Sequence, residues 1–210
     1  MSKKSSSRRK IDYYNRKDKS RRWFLIVCEG EKTEPNYFKS FPVDTKVINL
    51  DIRGEGRNTN SLVTKAIELK NNTEYDETDR FWCVFDRDIN PQNPNDSQNF
   101  NSAITLARNN GIDVAYSNDA FELWYLLHFN FYNTGISRQD YQNMLTKLLG
   151  HEYQKNSETI YEELKSKQQD AIKHSKRLLL EYDRSNPESD NPSTTVHLLV
   201  EELNNFIPKD

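Results

Sequence analysis

Acidic side chains follow two apolar segments of the chain at the point where each segment ends. Glu29 follows residues 23–28, and Asp86 and Asp88 follow residues 80–85. Neighbouring strands of a sheet lie about 4.8 Å apart, so these carboxylates can stand close together. Clustered carboxylates raise each other's pKa unless a cation lies between them, and Mg²⁺ (or Mn²⁺) prefers such hard oxygen ligands. The pattern predicts a metal site that polarises a phosphodiester and activates water, with one carboxylate as general acid or base.

The segments that carry these acids have the composition of buried strands. Six consecutive apolar residues at 23–28 fit a strand that is covered on both faces, as in the interior of a parallel sheet. Gly30 then permits a turn or the close approach of a ligand. A helix is predicted to follow, with Thr33 as its cap and Pro35 in its first turn. Glu29 would therefore lie at the carboxyl end of a central strand, where open α/β sheets bind their ligands.

Strand and helix patterns alternate through residues 23–130. The predicted strands lie near 23–28, 46–52, 80–88 and 112–117, and a helix is predicted after each of them. This alternation is typical of an α/β fold, with a mainly parallel sheet of about four strands, right-handed crossovers and flanking helices. Helical patterns at about 138–149, 158–182 and 194–205 predict a C-terminal helical region, with a cap at residues 193–195 before the last helix.

Charge divides the chain further. Residues 1–22 carry ten Lys/Arg against two Asp, although the whole chain has a net charge of −2. A basic arm before an acidic body is common in proteins that contact nucleic acid, and a disordered solubilising tail fits the same composition. We therefore expect a basic, disordered arm at 1–22, an α/β domain at 23–130 and a helical extension at 131–210 that packs on it.

Composition also narrows the cellular context. No apolar run approaches the roughly 20 residues of a membrane-spanning helix, and no apolar stretch follows the basic N-terminus as in a secretory signal. Cys28 and Cys83 fall inside strand patterns and are expected to be small buried hydrophobes rather than a disulfide or metal pair. These features predict a protein of the cytoplasm that has no membrane partner.

Further polar residues are candidates for the site. Glu122 begins an otherwise apolar helical segment, where the metal site, a basic residue or the helix dipole could balance its charge. Lys32, Arg53 and Arg57 are candidate phosphate or nucleic-acid ligands, although Lys32 is equally compatible with a solvated side chain. His128 is expected to be a core histidine. No Walker lysine motif occurs, so we expect no ATP binding through a P-loop.

The C-terminal helices carry more apolar residues than a sheet of this size can cover. We expect part of this surface to pack on the sheet and part to serve a partner or self-association. The residues concerned are Leu178, Leu179, Leu180, Leu198, Leu199 and Val200.

Several of these segments together resemble a known family. A Glu-Gly pair after the first strand and an Asp-x-Asp after a later one resemble the Toprim fold of topoisomerases, primases and defence nucleases. Residues 28–38, 86–88, 117–129 and 192–197 resemble the RloB family, also called the second component of AbiL. The resemblance covers about residues 20–207 and departs at Asp119, where many relatives are expected to carry Pro.

The resemblance implies a function and partners. It implies a Toprim-like, metal-dependent nuclease that acts on RNA such as tRNA, or on DNA, in antiphage defence by abortive infection. It also implies a separate AAA-type ATPase as partner. In such a site Glu29, Asp86 and Asp88 would hold the metal, and Glu122 would support them.

Two other classes of function were weighed against the nuclease. A non-catalytic subunit of the same defence system could bind nucleic acid or a partner through the arm and the C-terminal helices. However, a pure binder of a polyanion has no need of three clustered carboxylates. A phosphatase of the haloacid dehalogenase type also uses Asp-x-Asp, but there the motif closes the first strand, whereas here it closes the third.

Overall fold

A computed structural model describes residues 20–87 and 96–209, without the side chains of 96–99. Its strands are β1 (Arg22–Cys28), β2 (Ile48–Gly54), β3 (Arg80–Asp86), β4 (Asp113–Asn118) and β5 (Ser193–Thr194). Its helices are α1 (Thr33–Lys39), α2 (Thr59–Asn71), α3 (Asp96–Asn109), α4 (Glu122–Leu127), α5 (Arg138–Leu149), α6 (Ile160–Leu164), α7 (Gln168–Leu179) and α8 (Val196–Asn204). Residues 1–19 of the predicted basic arm lie outside the described part of the chain.

The strands form one sheet in the order β2-β1-β3-β4-β5. The first four strands are parallel, and β5 pairs antiparallel with β4. The predicted α/β fold with a mainly parallel sheet and a C-terminal helical region is confirmed. The fifth strand was not predicted, because two residues are too few to show a strand period. It is held by polar contacts, since Thr194 Oγ1 donates to the Tyr116 carbonyl at 3.0 Å.

Side chains of the central strands alternate between two apolar layers. Phe24, Ile26 and Cys28 of β1 face one layer, together with Trp82 and Val84 of β3. That layer also contains apolar residues of α1, α4, α5, α6, α7 and α8. The alternate residues of the same strands face a second layer, which α2 and α3 cover. Both faces of the sheet are therefore covered, which explains the continuous apolar runs in the sequence.

Two local predictions are wrong. The helix predicted over 158–182 is broken into α6, a 3-10 turn at Lys165–Lys167 and α7. The turn changes the helical phase, so that Ile160 and Leu164 before it and Ala171 and Leu178 after it are all buried. The predicted cap Thr33 is instead the first residue of α1, with Lys32 at the N-cap and no side-chain capping bond.

The apolar residues of the C-terminal helices divide between core and surface. Leu178, Leu199 and Val200 are buried in the layer shared with the sheet, whereas Leu180 is 84% and Leu198 44% exposed. The exposed pair leaves apolar surface available, as the sequence predicted, although no partner is observed for it. In the described part of the chain, no helix has the length and apolarity needed to cross a membrane.

The strand order contains one reversal. The connection after β1 leads to β2 on one side, whereas β3 lies on the other side of β1 and continues towards β4. Such a reversal leaves a crevice at the carboxyl ends of the two strands between which it occurs. In this chain the crevice lies beyond Cys28 of β1 and Asp86 of β3.

Candidate active site

Glu29 links the carboxyl ends of β1 and β3. Its Oε2 atom accepts a hydrogen bond from the backbone N–H of Asp86 at 3.0 Å. Its Oε1 atom accepts one from the Thr59 hydroxyl, in the first turn of α2, at 3.3 Å. Glu29 therefore lies beside Asp86, but its carboxylate reaches towards α2 and the second apolar layer.

Asp86, the last residue of β3, lies on the opposite face. Its Oδ2 atom accepts from the backbone N–H of Phe121 at 3.0 Å. Its Oδ1 atom is buried and has no hydrogen-bond partner, although the residue as a whole is partly exposed. Burial raises the pKa of Asp86 well above its ordinary value, the negative charges of Glu34, Glu122 and Glu29 add to the rise, and Arg138 opposes it.

Glu34, in the first turn of α1, is a site residue that the sequence reasoning missed. It is only 4% exposed, and its Oε1 atom accepts from the backbone N–H of Gly30 at 3.3 Å. Burial raises the pKa of Glu34, and the charge of Glu122 raises it further. One signal was present in the sequence: Glu34 is an acid among apolar residues, the argument that singled out Glu122.

Glu122, the first residue of α4, is 3% exposed. The Tyr153 hydroxyl donates to its Oε1 atom at 3.3 Å, and Lys155 Nζ lies 3.7 Å from the same atom. The expectation that a buried Glu122 needs a partner is therefore met by two residues between α5 and α6. Burial raises the pKa of the Tyr153 phenol, and the adjacent Glu122 charge adds to this.

Together these residues form an acidic cluster, which we define as Glu34, Asp86 and Glu122, with Glu29 beside it on the other face of the sheet. The unpartnered Asp86 Oδ1 and the mutual rise in pKa fit a site for a hard divalent cation. Within residues 20–87 and 96–209, however, no three His, Cys, Asp or Glu side chains are arranged to hold a metal ion. The remaining predicted ligand, Asp88, lies outside the described residues.

The predicted phosphate ligands lie apart from the acidic cluster. Lys32 is exposed beside α1. Arg53 forms an ion pair with Asp51 at 2.8 Å, and Arg57 forms one with Glu55 at 3.2 Å. Their positive charges are thus partly balanced within their own loop.

Two other cations lie closer to the cluster, and sequence reasoning missed both. Arg138 opposes the rise in the pKa of Asp86, and it donates to the Asp119 carbonyl at 3.1 Å. Lys155 is the ion-pair partner of Glu122. Neither residue lies in a distinctive local pattern, because each reaches the site only through the packing of the C-terminal helices.

The predicted core residues lie in the interior. His128 is 1% exposed and donates from Nδ1 to the Trp124 carbonyl at 2.9 Å. Burial lowers the pKa of His128 to about 4, so this side chain is neutral and is no base for the site. Cys28 and Cys83 are both buried and unbridged, as predicted.

The acidic cluster predicts how stability depends on pH. The pKa values of Asp86 and Glu34 are raised above 3.8 and 4.5, so the folded chain binds protons that the unfolded chain does not. Folding stability without divalent cations should therefore rise as the pH falls from about 8 towards about 5. Thermal melting in EDTA across this range should show the rise, and a Glu34→Gln/Asp86→Asn variant should show a flatter profile. Parallel profiles would contradict this reading of the cluster.

The comparisons with known proteins give one positive result. Neither a curated protein nor a solved structure matches the chain. A sequence model of the family described as "RloB-like protein" matches residues 24–203. Because the match covers most of the chain, from β1 into α8, the chain belongs to the RloB-like protein family.

Proposed function

We propose that this protein is a Mg²⁺- or Mn²⁺-dependent nuclease that acts on RNA such as tRNA, or on DNA, in antiphage defence by abortive infection. We further propose that it works with an AAA-type ATPase. The observation that carries the proposal is the acidic cluster. It brings together carboxylates from α1, β3 and α4 at the reversal of strand order, around an Asp86 oxygen that has no partner. Membership of the RloB-like family supports the association with defence.

The fold gives each side chain of the site a distinct role. Asp86 and Glu29, with Asp88 beyond them, would hold the cation, which supplies a polarised phosphodiester and an activated water. Asp86 is oriented by the Phe121 N–H, and Glu29 by the backbone of β3. Both contacts fix the carboxylates before any ligand binds.

Glu34 and Glu122 differ in their surroundings and so in their proposed roles. Burial raises the pKa of Glu34, which makes it a suitable proton donor or acceptor near neutral pH. Glu122 is bound by a hydroxyl and an ammonium group, which favour its charged form. We therefore assign general acid–base chemistry to Glu34 and a positioning role to Glu122.

The energetics of the cluster favour a catalyst over a simple binder. Buried carboxylates that raise each other's pKa destabilise the folded state at neutral pH unless a cation offsets them. A subunit that only binds a polyanion gains nothing from this arrangement. A nuclease gains a place for the cation that its chemistry requires.

The test is a cleavage assay on the full chain with three substrates: labelled tRNA, single-stranded RNA and plasmid DNA. Each is incubated in Mg²⁺, Mn²⁺ or EDTA, with and without the ATPase encoded beside this chain. We expect cleavage of at least one substrate in the metal buffers and none in EDTA. If the protein with its ATPase binds these substrates but cleaves none of them in either metal, the non-catalytic subunit is the correct reading.

A further inference from the structure

A second charged region lies on α7 and on the segment that follows α4. Residues 165–177 carry five Lys/Arg against one Asp, within a chain of net charge −2. Two of these cations have carboxylate partners, since Lys165 pairs with Glu162 and Lys176 with Glu201. In the described part of the chain, Lys167 and Arg177 form no ion pair, although both are exposed.

Lys167 and Arg177 lie over aromatic rings instead. Lys167 Nζ is 4.1 Å from the centre of the Phe129 ring, and the Arg177 guanidinium carbon is 3.9 Å from that of Phe131. His174 lies between them in sequence, with its ring centre 6.1 Å from that of Phe131. Positions 167, 174 and 177 share one helical face, since they are separated by seven and three residues. We call Phe129, Phe131, Lys167, His174 and Arg177 the cation–aromatic patch.

The patch is held in place by the backbone. His174 Nδ1 donates to the Leu127 carbonyl at 2.8 Å, which fixes the end of α4 against α7. Both phenylalanines are half-buried at the margin of the large core layer. The rings are therefore rigid, while the charged ends of Lys167 and Arg177 remain in solvent.

The arrangement has the chemistry that recognises single-stranded nucleic acid. A guanidinium that stacks on a ring with one face can stack on a nucleobase with the other. A neighbouring ammonium group without a carboxylate partner can bind the phosphate of the same strand. A duplex offers only its phosphates, because its base faces are already stacked. An acidic peptide would satisfy the charges but not the stacking surface.

We propose that the cation–aromatic patch binds single-stranded nucleic acid, with a base against Arg177 and a phosphate at Lys167. The chain after Phe131 leads through residues 132–137 directly to Arg138, whose charge acts on Asp86 of the acidic cluster. A strand on the patch would thus be held beside the segment that runs to the site. Calling this strand a substrate rests on the proposed nuclease function, whereas the binding surface itself does not.

The test is binding by the full chain in EDTA, where metal-dependent cleavage cannot occur. The probes are a fluorescein-labelled 20-nucleotide RNA, the DNA of the same sequence and the corresponding duplexes, measured by fluorescence anisotropy. Lys167→Gln/Arg177→Gln should bind both single strands about tenfold more weakly than wild type at about 0.15 M salt, with a salt slope lower by about 1.4. The control Lys46→Gln/Lys147→Gln removes two exposed lysines elsewhere and should change binding much less.

A second variant separates stacking from charge. Arg177→Lys keeps the charge but loses the planar group, so it should bind single strands more weakly than wild type while its salt slope is unchanged. All three variants change exposed side chains and should keep the wild-type melting temperature.

The proposal is overturned if Lys167→Gln/Arg177→Gln binds single strands as tightly as wild type or as the control variant does. It is also overturned if these residues contribute equally to duplex binding, or if a polyglutamate peptide displaces the single strand from them with higher affinity. Binding through the patch without any cleavage would remove the proposed nuclease function but not this surface. Cleavage that persists in the patch variant, with unchanged strand affinity, would remove the surface but not the nuclease.

Discussion

Replacement of Asp86 by Asn is expected to lower the rate of nucleic-acid cleavage by about 10³-fold, while the metal-free protein stays at least as stable as wild type. The loss corresponds to about 4 kcal/mol of transition-state stabilisation, as for a lost metal ligand. The stability follows from the surroundings of the carboxylate. Asn keeps an oxygen that can accept from the Phe121 N–H, and it removes one negative charge from a site shared with Glu34 and Glu122.

Melting in EDTA and in Mg²⁺ separates this role from a structural one. Wild type should gain stability from Mg²⁺, and Asp86→Asn should gain much less. If Asp86 instead served a structural ion pair, its loss would strand a buried partner and cost about 3–5 kcal/mol in EDTA. Asp183→Asn makes the same chemical change at an exposed position and should leave cleavage and melting unchanged. An Asp86→Asn protein that melts well below wild type in EDTA, beside a wild type indifferent to Mg²⁺, would show that the metal site is wrongly assigned.

Gly30→Ala is expected to reduce cleavage by about tenfold or more, although no charged residue changes. An added Cβ at this position would lie 2.1 Å from Glu34 Oε2 and 3.0 Å from Oε1. Because Glu34 is buried, its carboxylate must leave the Gly30 N–H and move within the acidic cluster. We expect a stability loss of about 1–3 kcal/mol, as for an overpacked interior, and a smaller response of the melting temperature to Mg²⁺.

A double variant tests whether the effect passes through Glu34. In Gly30→Ala/Glu34→Ala the clashing side chain is gone, so stability should recover relative to Gly30→Ala while cleavage remains low. The cycle of the two single variants and the double variant gives the coupling between the positions. Independent effects on stability would mean that Gly30 serves the turn after β1 and not the position of the Glu34 carboxylate.

The family resemblance and the structure agree on some segments for different reasons. Asn118, in the segment that resembles the family, is fully buried and donates from Nδ2 to the carbonyls of Pro187 and Asp190. This residue therefore secures the connection before β5 and does not reach the acidic cluster. Its neighbour Asp119 accepts a backbone contact from Arg138 and so connects the same segment to the site.

The sequence by itself determined the layers of the fold and the edge at which the acids lie. Apolar runs such as that of β1 can be buried only between two covered faces, and strands that alternate with helices pair in parallel. Glu29 and Asp86 therefore had to follow strands at the same edge of the sheet. The ends of α5 were also predictable, because Ser137 caps one end and Gly150 adopts a left-handed conformation at the other.

Only the tertiary structure decided which carboxylates share a face. Ile26 pairs with Trp82 across β1 and β3, so Glu29 continues the face of Phe85 while Asp86 continues the opposite one. Sequence alone leaves this register open, since each strand shows its period but not its alignment with a neighbour. The same holds for Glu34, Arg138 and Lys155, which approach Asp86 and Glu122 only because α1 and the C-terminal helices pack on that one face. Long-range packing, and not local pattern, therefore assembled the acidic cluster.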